Sequence, residues 1–330
     1  YFLDGLSQVE TAKATGLSRA TVCRALEAAK SSGMVSVSLH MPASAKPDSK
    51  TAQRLCASLG LKEVILAPTC HDDETSEGIE LLSHDVTSVA AAHLPRLLAD
   101  SRMIGLAWGR TVYNTALHLP PVRDGARRLF VPLISNFSSC NSYLQTSSIV
   151  ARFGDVFSAR GYYLNISPKE RSKGERSPEE AAQIRQLAVY WDALDSAIVS
   201  FSSPDNLTGY EYCGDLWKKY AAETDPRDNQ MCFESMAQVF YQNGSYYSVN
   251  QNFDIVAIDL QRLREIQNVI CVAAGKKKAK ALIYAAKEGF PQGAGVQPHP
   301  HGGGNAQPAQ ERGKALLSAT ILLKFRKINH

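Results

Sequence analysis

The alternation of apolar and polar positions changes character along this chain. In residues 7–33, SQVETAKATGLSRATVCRALEAAKSSG, apolar side chains fall at helical spacing in two short runs parted by Gly16. Ser7 and Glu10 have the Ser-x-x-Glu spacing of a capping box, which places a helix start there. Val9 and Ala12 supply the inward face of that helix, and Gly16 suits the left-handed residue that would end it. Leu17 is expected to plug the turn. Ser18 is expected to cap a second helix whose inward face is Val22 and Leu26. The alternating MVSVSLH after Gly33 predicts a short strand or wing.

MPASAKPDSK, residues 41–50, is rich in proline, serine and lysine and reads as a linker. Beyond it, short apolar runs recur between amphipathic stretches. The expected strands are VILAP (64–68), MIGLAW (103–108), LFVPLI (129–134), YYLNI (162–166), SAIVSF (196–201) and VICVAA (269–274). Helical patterns lie between most of them, as in SHDVTSVAAAHLPRLLAD and SPEEAAQIRQLAVYWDAL. This alternation predicts a three-layer, Rossmann-like α/β domain around a mainly parallel sheet. The expected organisation is an N-terminal helical domain over 1–41, truncated at its N-terminus because the chain opens on Tyr1, and a linker over 42–52. A large α/β domain follows over 53–290, then a glycine- and proline-rich tail over 291–330. The apolar, basic end of that tail, ALLSATILLKFRKIN, is compatible with a docked helix, a strand or a loose segment.

Composition narrows the picture only a little. No run of about 18 apolar residues suggests a membrane span, and no basic-then-apolar leader is visible, which predicts a cytoplasmic protein. The seven cysteines contain no Cys-x-x-Cys pair, a pattern of reduced thiols rather than of a zinc site or disulfide framework. His299 and His301 lack carboxylate or thiol companions, so no metal and no cofactor is expected. The net charge of +4 favours anionic partners only weakly.

Position within the two motifs says more. The glycine break and the cap of the second helix fall in helix-turn-helix register. Ser18, Arg19, Thr21 and Arg24 then lie at the helix start that would enter a DNA major groove. Arginine can pair with guanine edges or phosphates, and threonine can meet a phosphate or a thymine methyl. Further along, IGLAWGRT runs from a strand through Gly105, Gly109, Arg110 and Thr111 into a helix. Glycines there let backbone N–H groups approach an anion, and the helix start adds positive potential. A second such turn, at Gly275 in VAAGKKKAKALI, follows the last expected strand.

Taken in order, these segments resemble the SorC family of sugar-responsive bacterial transcription regulators. The resemblance runs from GLSQVETAKATGLSRATVCRALEAAKSSGMV through LGLKEVILAP and IGLAWGRTVYNTALHLP to LQRLREIQNVICVAAGKKKAKALIYAAKEG, over about residues 5–290. It implies an effector domain similar to sugar-phosphate isomerases and deaminases. It also implies homo-dimers or homo-tetramers on operator DNA and a phosphorylated sugar effector. By the same resemblance Lys278 takes the place of a ligand-contacting lysine, and Glu234 that of a carboxylate one methylene shorter. The chain departs from the family where Ala107 stands for a glycine, Ser135-Asn136 for Gly-Gly and Ser200-Phe201-Ser202 for Gly-Ile-Gly. The family's usual last strand is not found before the tail.

The function expected is therefore a non-enzymatic, ligand-modulated regulator of a carbohydrate operon. One alternative is a sugar-phosphate isomerase or deaminase, with Glu234 and Lys278 as half of an acid–base site. His118, near a helix end, is expected to face solvent and so to add nothing to it. The other alternative is a regulator whose effector domain serves only to oligomerise.

Overall fold

The computed structural model describes residues 1, 4–32, 49–69, 71, 74–122, 127–136, 144–170, 174–202, 231–236, 238–241, 246–248, 253–275, 278, 282 and 320–324. The chain divides into two compact units, Tyr1–Ser44 and Ala45–His330.

The first unit holds helices α1 (Gln8–Thr15) and α2 (Arg19–Ser31). The capping box closes as the spacing predicts. Ser7 Oγ accepts from the Glu10 N–H at 3.2 Å, and the Glu10 carboxylate accepts from the Ser7 N–H at 2.7 Å. Those Ser7 hydrogen bonds, the backbone one first, hold the Glu10 carboxyl below its usual range. Gly16 ends α1 at φ 68°, ψ 12°, a left-handed conformation that glycine adopts without a Cβ clash. Val22 is buried at the crossing, but Val9 and Leu17 are 47% and 49% exposed. The expectation that these two face inward is corrected. Two short helices bury little beyond the point where they cross, and α1 buries no residue. The expected wing over 34–40 lies outside the described residues.

The second unit opens with α3 (Ser49–Leu59), so the last residues of the expected linker are helical. Ala52, Leu55 and Leu59 recur at helical spacing and are buried against the main core, which is why the helix forms there. A seven-stranded sheet follows, built from β1 (Glu63–Ala67), β2 (Met103–Leu106), β3 (Leu129–Pro132), β4 (Arg160–Gly161), β6 (Ser196–Val199), β11 (Asn268–Ala273) and β12 (Thr320–Lys324). Its order is β1-β12-β11-β6-β2-β3-β4. The neighbours from β11 to β4 are all parallel. Every residue of β6 and β11 is buried, as expected of central strands covered on both faces.

Helices α4 (Ser76–Leu97), α5 (Arg110–His118) and α6 (Thr146–Phe157) pack side by side in that order. Helix α7 (Pro178–Asp192) is pinned to the sheet where the Trp191 indole donates to the Pro132 carbonyl at 2.8 Å. A short α8 (Leu260–Glu265) joins α7 through Arg262 Nε, 3.3 Å from Asp192 Oδ1. Two small sheets complete the unit: β5 (Lys169–Glu170) with β10 (Phe253–Asp254), and β7 (Met231–Ser235), β8 (Gln238–Tyr241) and β9 (Tyr246–Ser248).

Two strand expectations change. YYLNI forms no strand: β4 is only the two residues before it. Tyr162 N–H still bonds the Phe130 carbonyl at 2.8 Å, after which Leu164 and Ile166 are buried in an irregular run. The tail end, whose form the pattern left open, supplies β12. It lies between β1 and β11 and is antiparallel to both, so the sheet is mixed and both of β12's edges are paired.

The N-terminal ends of the parallel strands are tied by polar side chains. Asp195 Oδ2 accepts from the N–H groups of Arg102 and Met103, at 2.7 and 3.0 Å. Ser101 and Ser196 share a 2.6 Å hydrogen bond, and Asn268 Nδ2 donates to Ser196 and to the Leu97 carbonyl. The buried Arg128 donates to the carbonyls of Leu98, Ala99 and Ser101, closing the end of α4. With this end of the sheet locked, a ligand crevice belongs at the other.

Candidate functional site

In the first unit, Ser18 caps α2 by accepting from the Thr21 N–H at 3.1 Å, and the Ser18 and Thr21 hydroxyls lie 2.8 Å apart. The two hydroxyls are thus engaged with each other at the helix start. Arg19 and Arg24 are exposed, and the first turn of α2 carries no acidic residue. The Cys23 thiol donates to the Gln8 side chain at 3.3 Å, tying α2 to the first residue of α1. A helix start with no acid in its first turn and two exposed arginine heads is suited to polyanions.

In the second unit, the chain leaves β2 towards β3 on one side and returns as β6 on the other. Such a reversal opens a crevice beyond the carboxyl ends of the two strands, where ligands of parallel-sheet proteins bind. Here β2 passes through Ala107, Trp108 and Gly109 into α5. The Ala107 N–H donates to the Ile198 carbonyl at 2.9 Å, so this loop is held against β6. Gly109, the N-cap, has φ 109° and ψ 163°, a conformation open in practice to glycine alone. Gly109 has no side chain with which to cap α5, and the first turn of the helix contains no acid.

Lys278 arrives at this helix start from β11. Gly275, at φ 94°, turns the chain, and the Lys278 N–H bonds the Gly275 carbonyl at 3.1 Å. The Lys278 ammonium then lies 3.4 Å from the Thr111 hydroxyl and 3.4 Å from the Ser200 hydroxyl. Three adjacent strands therefore contribute: β2 through Gly109 and Thr111, β6 through Ser200, and β11 through Gly275 and Lys278. Beneath them Cys271 is fully buried. Burial pushes its thiol up to about 12, against the smaller opposing effect of Lys278. The thiol is therefore protonated, and the local charge is that of the ammonium.

Of the residues read from the sequence, Gly109, Thr111, Gly275 and Lys278 meet at one end of the sheet. Arg110 lies at the same helix start but is exposed. Gly105 is set apart within β2, where an added Cβ would come 2.4 Å from Leu133 Cδ2. Its lack of a side chain serves core packing. Glu234 lies on β7, and the next residue, Ser235, donates its hydroxyl to the Ser200 carbonyl at 3.4 Å, so that strand ends beside β6. The Glu234 side chain is outside the described residues.

Two departures from the family pattern acquire definite contacts. Asn136 caps α6: its Oδ1 accepts from the Ser147 N–H at 3.0 Å, and its Nδ2 donates to Leu164 O and Ser147 Oγ. Ser200 meets Lys278, a contact that sequence spacing does not signal. The expectation for His118 is corrected. It is half-buried, with Nδ1 2.9 Å from the Asn114 carbonyl and 3.1 Å from the Thr87 hydroxyl, and its ring meets that of His84 edge-on.

A family model described as "Putative sugar-binding domain" matches residues 25–291, most of the chain. The chain belongs to this family of SorC-type regulators. The sorbitol operon regulator of Klebsiella pneumoniae is 23% identical over 295 residues, covering 86% of this chain and 88% of that protein. The deoxyribonucleoside regulator of Bacillus subtilis (strain 168) is 23% identical over 293 residues, 86% of this chain and 87% of its own. Among solved structures, full-length SorC from K. pneumoniae covers 88% of this chain and 91% of its own with a TM-score of 0.59 at 21% identity. A DeoR family regulator from Listeria monocytogenes covers 74% of this chain and 93% of its own, with a TM-score of 0.57 at 20% identity. At these identities the structures establish a shared fold. As a member of the SorC family the chain is a transcriptional regulator of the carbohydrate-operon class.

Proposed function

We propose that this SorC-type chain binds operator DNA through α2 and that a phosphorylated sugar or related metabolite, bound over α5, modulates that binding. The observation that carries the effector reading is the Lys278 ammonium beside Thr111 at a helix start whose N-cap is a glycine. An anion there would meet the first-turn N–H groups, the positive end of the helix and a lysine together. The sorbitol and deoxyribonucleoside regulators carry small polyols or nucleosides in their names, which fits a carbohydrate-derived effector. The protein acts as a homo-dimer or homo-tetramer, because operator half-sites are read by symmetry-related helix-turn-helix units. Effector binding regulates only if the operator-competent and incompetent states differ in their affinity for it.

The described side chains that gather at the site are an ammonium, two hydroxyls and a protonated thiol. That set is suited to holding an anion, which is what a sensor of a phosphorylated metabolite requires. The test is footprinting of the intact protein on its genome, with and without a panel of sugar phosphates and the unphosphorylated parents. Protection beside a carbohydrate operon, shifted by a phosphorylated member only, is the expected result. Protection unchanged by every member of the panel would leave an oligomerisation module instead. Arg24→Ala should weaken operator binding by about 1–3 kcal/mol if the side chain reads a base. A uniform loss across sequences would make it a phosphate contact.

A further inference from the structure

We propose that Ser200 is a positioning residue for Lys278: its hydroxyl holds the ammonium over the start of α5 and, in doing so, makes the subsite selective for an acceptor-only anion. This rests on the anion-site reading above and adds a residue to it. A lysine carries a flexible four-carbon stem, and holding its head in one place costs rotamer entropy. Here the head lies 3.4 Å from two hydroxyls at once, Thr111 Oγ1 beyond β2 and Ser200 Oγ beyond β6. Neither hydroxyl is on a loose support. Thr111 is 8% exposed, and its carbonyl accepts from the Thr115 hydroxyl at 2.7 Å. Ser200 stands between Val199 and Phe201, 0% and 1% exposed, and its carbonyl accepts from the Ser235 hydroxyl.

The direction of these hydrogen bonds sets the selectivity. An ammonium has only donors, so both hydroxyls must offer it a lone pair. Their own hydrogens then point away from the lysine. Together with the ammonium and the first-turn N–H groups of α5, they form a cluster of donors. A phosphoryl or sulfate group satisfies such a cluster through its ionised oxygens, which only accept, and inorganic phosphate can turn a remaining P–OH away from it. A hydroxyl or amide ligand has a hydrogen of its own to place and does not satisfy it. Without the Ser200 hydroxyl the lysine would lose an anchor and the cluster a donor.

The experiment uses the intact chain, with inorganic phosphate as the probe, titrated at constant ionic strength against chloride. Thermal shift and calorimetry are followed for the wild type, Ser200→Ala, Ser200→Thr and Lys278→Met. The expected result is stabilisation of the wild type by phosphate and none for Lys278→Met. Ser200→Ala should melt as the wild type does without phosphate but need about three- to tenfold more of it, the worth of one such hydrogen bond. Ser200→Thr should restore the response. Ser200→Ala binding phosphate like the wild type while Lys278→Met does not would overturn the role of Ser200 and leave the anion site standing. A weakened Ser200→Ala that also melts early and that Ser200→Thr does not rescue would make Ser200 structural, with the same consequence. A wild type unmoved by phosphate, or a Lys278→Met chain that responds normally, would overturn the anion-site reading itself.

Discussion

Lys278 Nζ stands 3.4 Å from Thr111 Oγ1 across 167 residues of sequence, and this contact brings the two glycine turns together. Each turn by itself is an ordinary strand-to-helix connection. Brought together at the reversal point of the sheet, they place a fixed positive charge at the positive end of α5, where the two fields add.

Gly109 sets the entry to that helix. At φ 109° an L side chain is strained, although nothing lies within 4 Å of an added Cβ. Gly109→Ala should therefore destabilise the chain by about 1–3 kcal/mol through backbone strain alone. It should also weaken phosphate binding, because relief of the strain turns the first N–H groups of α5. Denaturant unfolding and a phosphate titration of the same variant check both parts.

Gly105 makes the opposite case. Its added Cβ would meet Leu133 Cδ2 at 2.4 Å, Leu133 Cγ at 3.0 Å and Leu194 Cδ1 at 3.2 Å. Gly105→Ala should cost about 1–3 kcal/mol by overpacking, while the folded fraction keeps its phosphate affinity. Leu133→Ala in the same chain should recover part of the loss. Additive losses in the double variant, measured by urea unfolding, would show that the two residues do not compete for space.

Arg128 is 4% exposed and donates to three main-chain carbonyls around the end of α4, with its guanidinium carbon 5.3 Å from the centre of the Phe157 ring. Arg128→Met keeps much of the apolar stem but strands those carbonyls. The expected cost is about 2–4 kcal/mol, from several lost charged hydrogen bonds in a buried place. A change within about 0.5 kcal/mol, the range of ordinary surface substitutions, would show that water takes over the cap.

Cys271 gives a prediction in pH. Its thiol is raised from the usual 9.0 to about 12 in the folded chain, by burial before any other cause. Between those values the folded state keeps a proton that the unfolded state has released. The stabilisation is thus complete below pH 9 and is lost as pH rises towards 12. The slope from this one group is at most about 1.4 kcal/mol per pH unit. Cys271→Ala should flatten the alkaline limb of a stability–pH curve. In the native chain at pH 8, a thiol reagent read by mass spectrometry should label the half-buried Cys23 and Cys56 before Cys271.

How much was legible in advance differs from one element to the next. The capping box at Ser7 and Glu10, the stop at Gly16 and the cap at Ser18 were readable because each depends on residues three or four apart. So were the strands around Ile104, Phe130, Ile198 and Ile270, whose apolar runs are long enough to demand burial. Val9 and Leu17 were misjudged because helical spacing names a face without saying what covers it.

By itself, then, the sequence determined the local elements, the two glycine turns and the family to which the chain belongs, since each is written in short-range spacing or in the order of motifs. Only the tertiary structure decided that β12 enters the sheet between β1 and β11, that Gly105 serves the core, and that Ser200 reaches Lys278. The physical reason is that strand order and register are settled by which surfaces bury one another across long stretches of chain. A period of 2 or 3.6 residues carries no record of that choice.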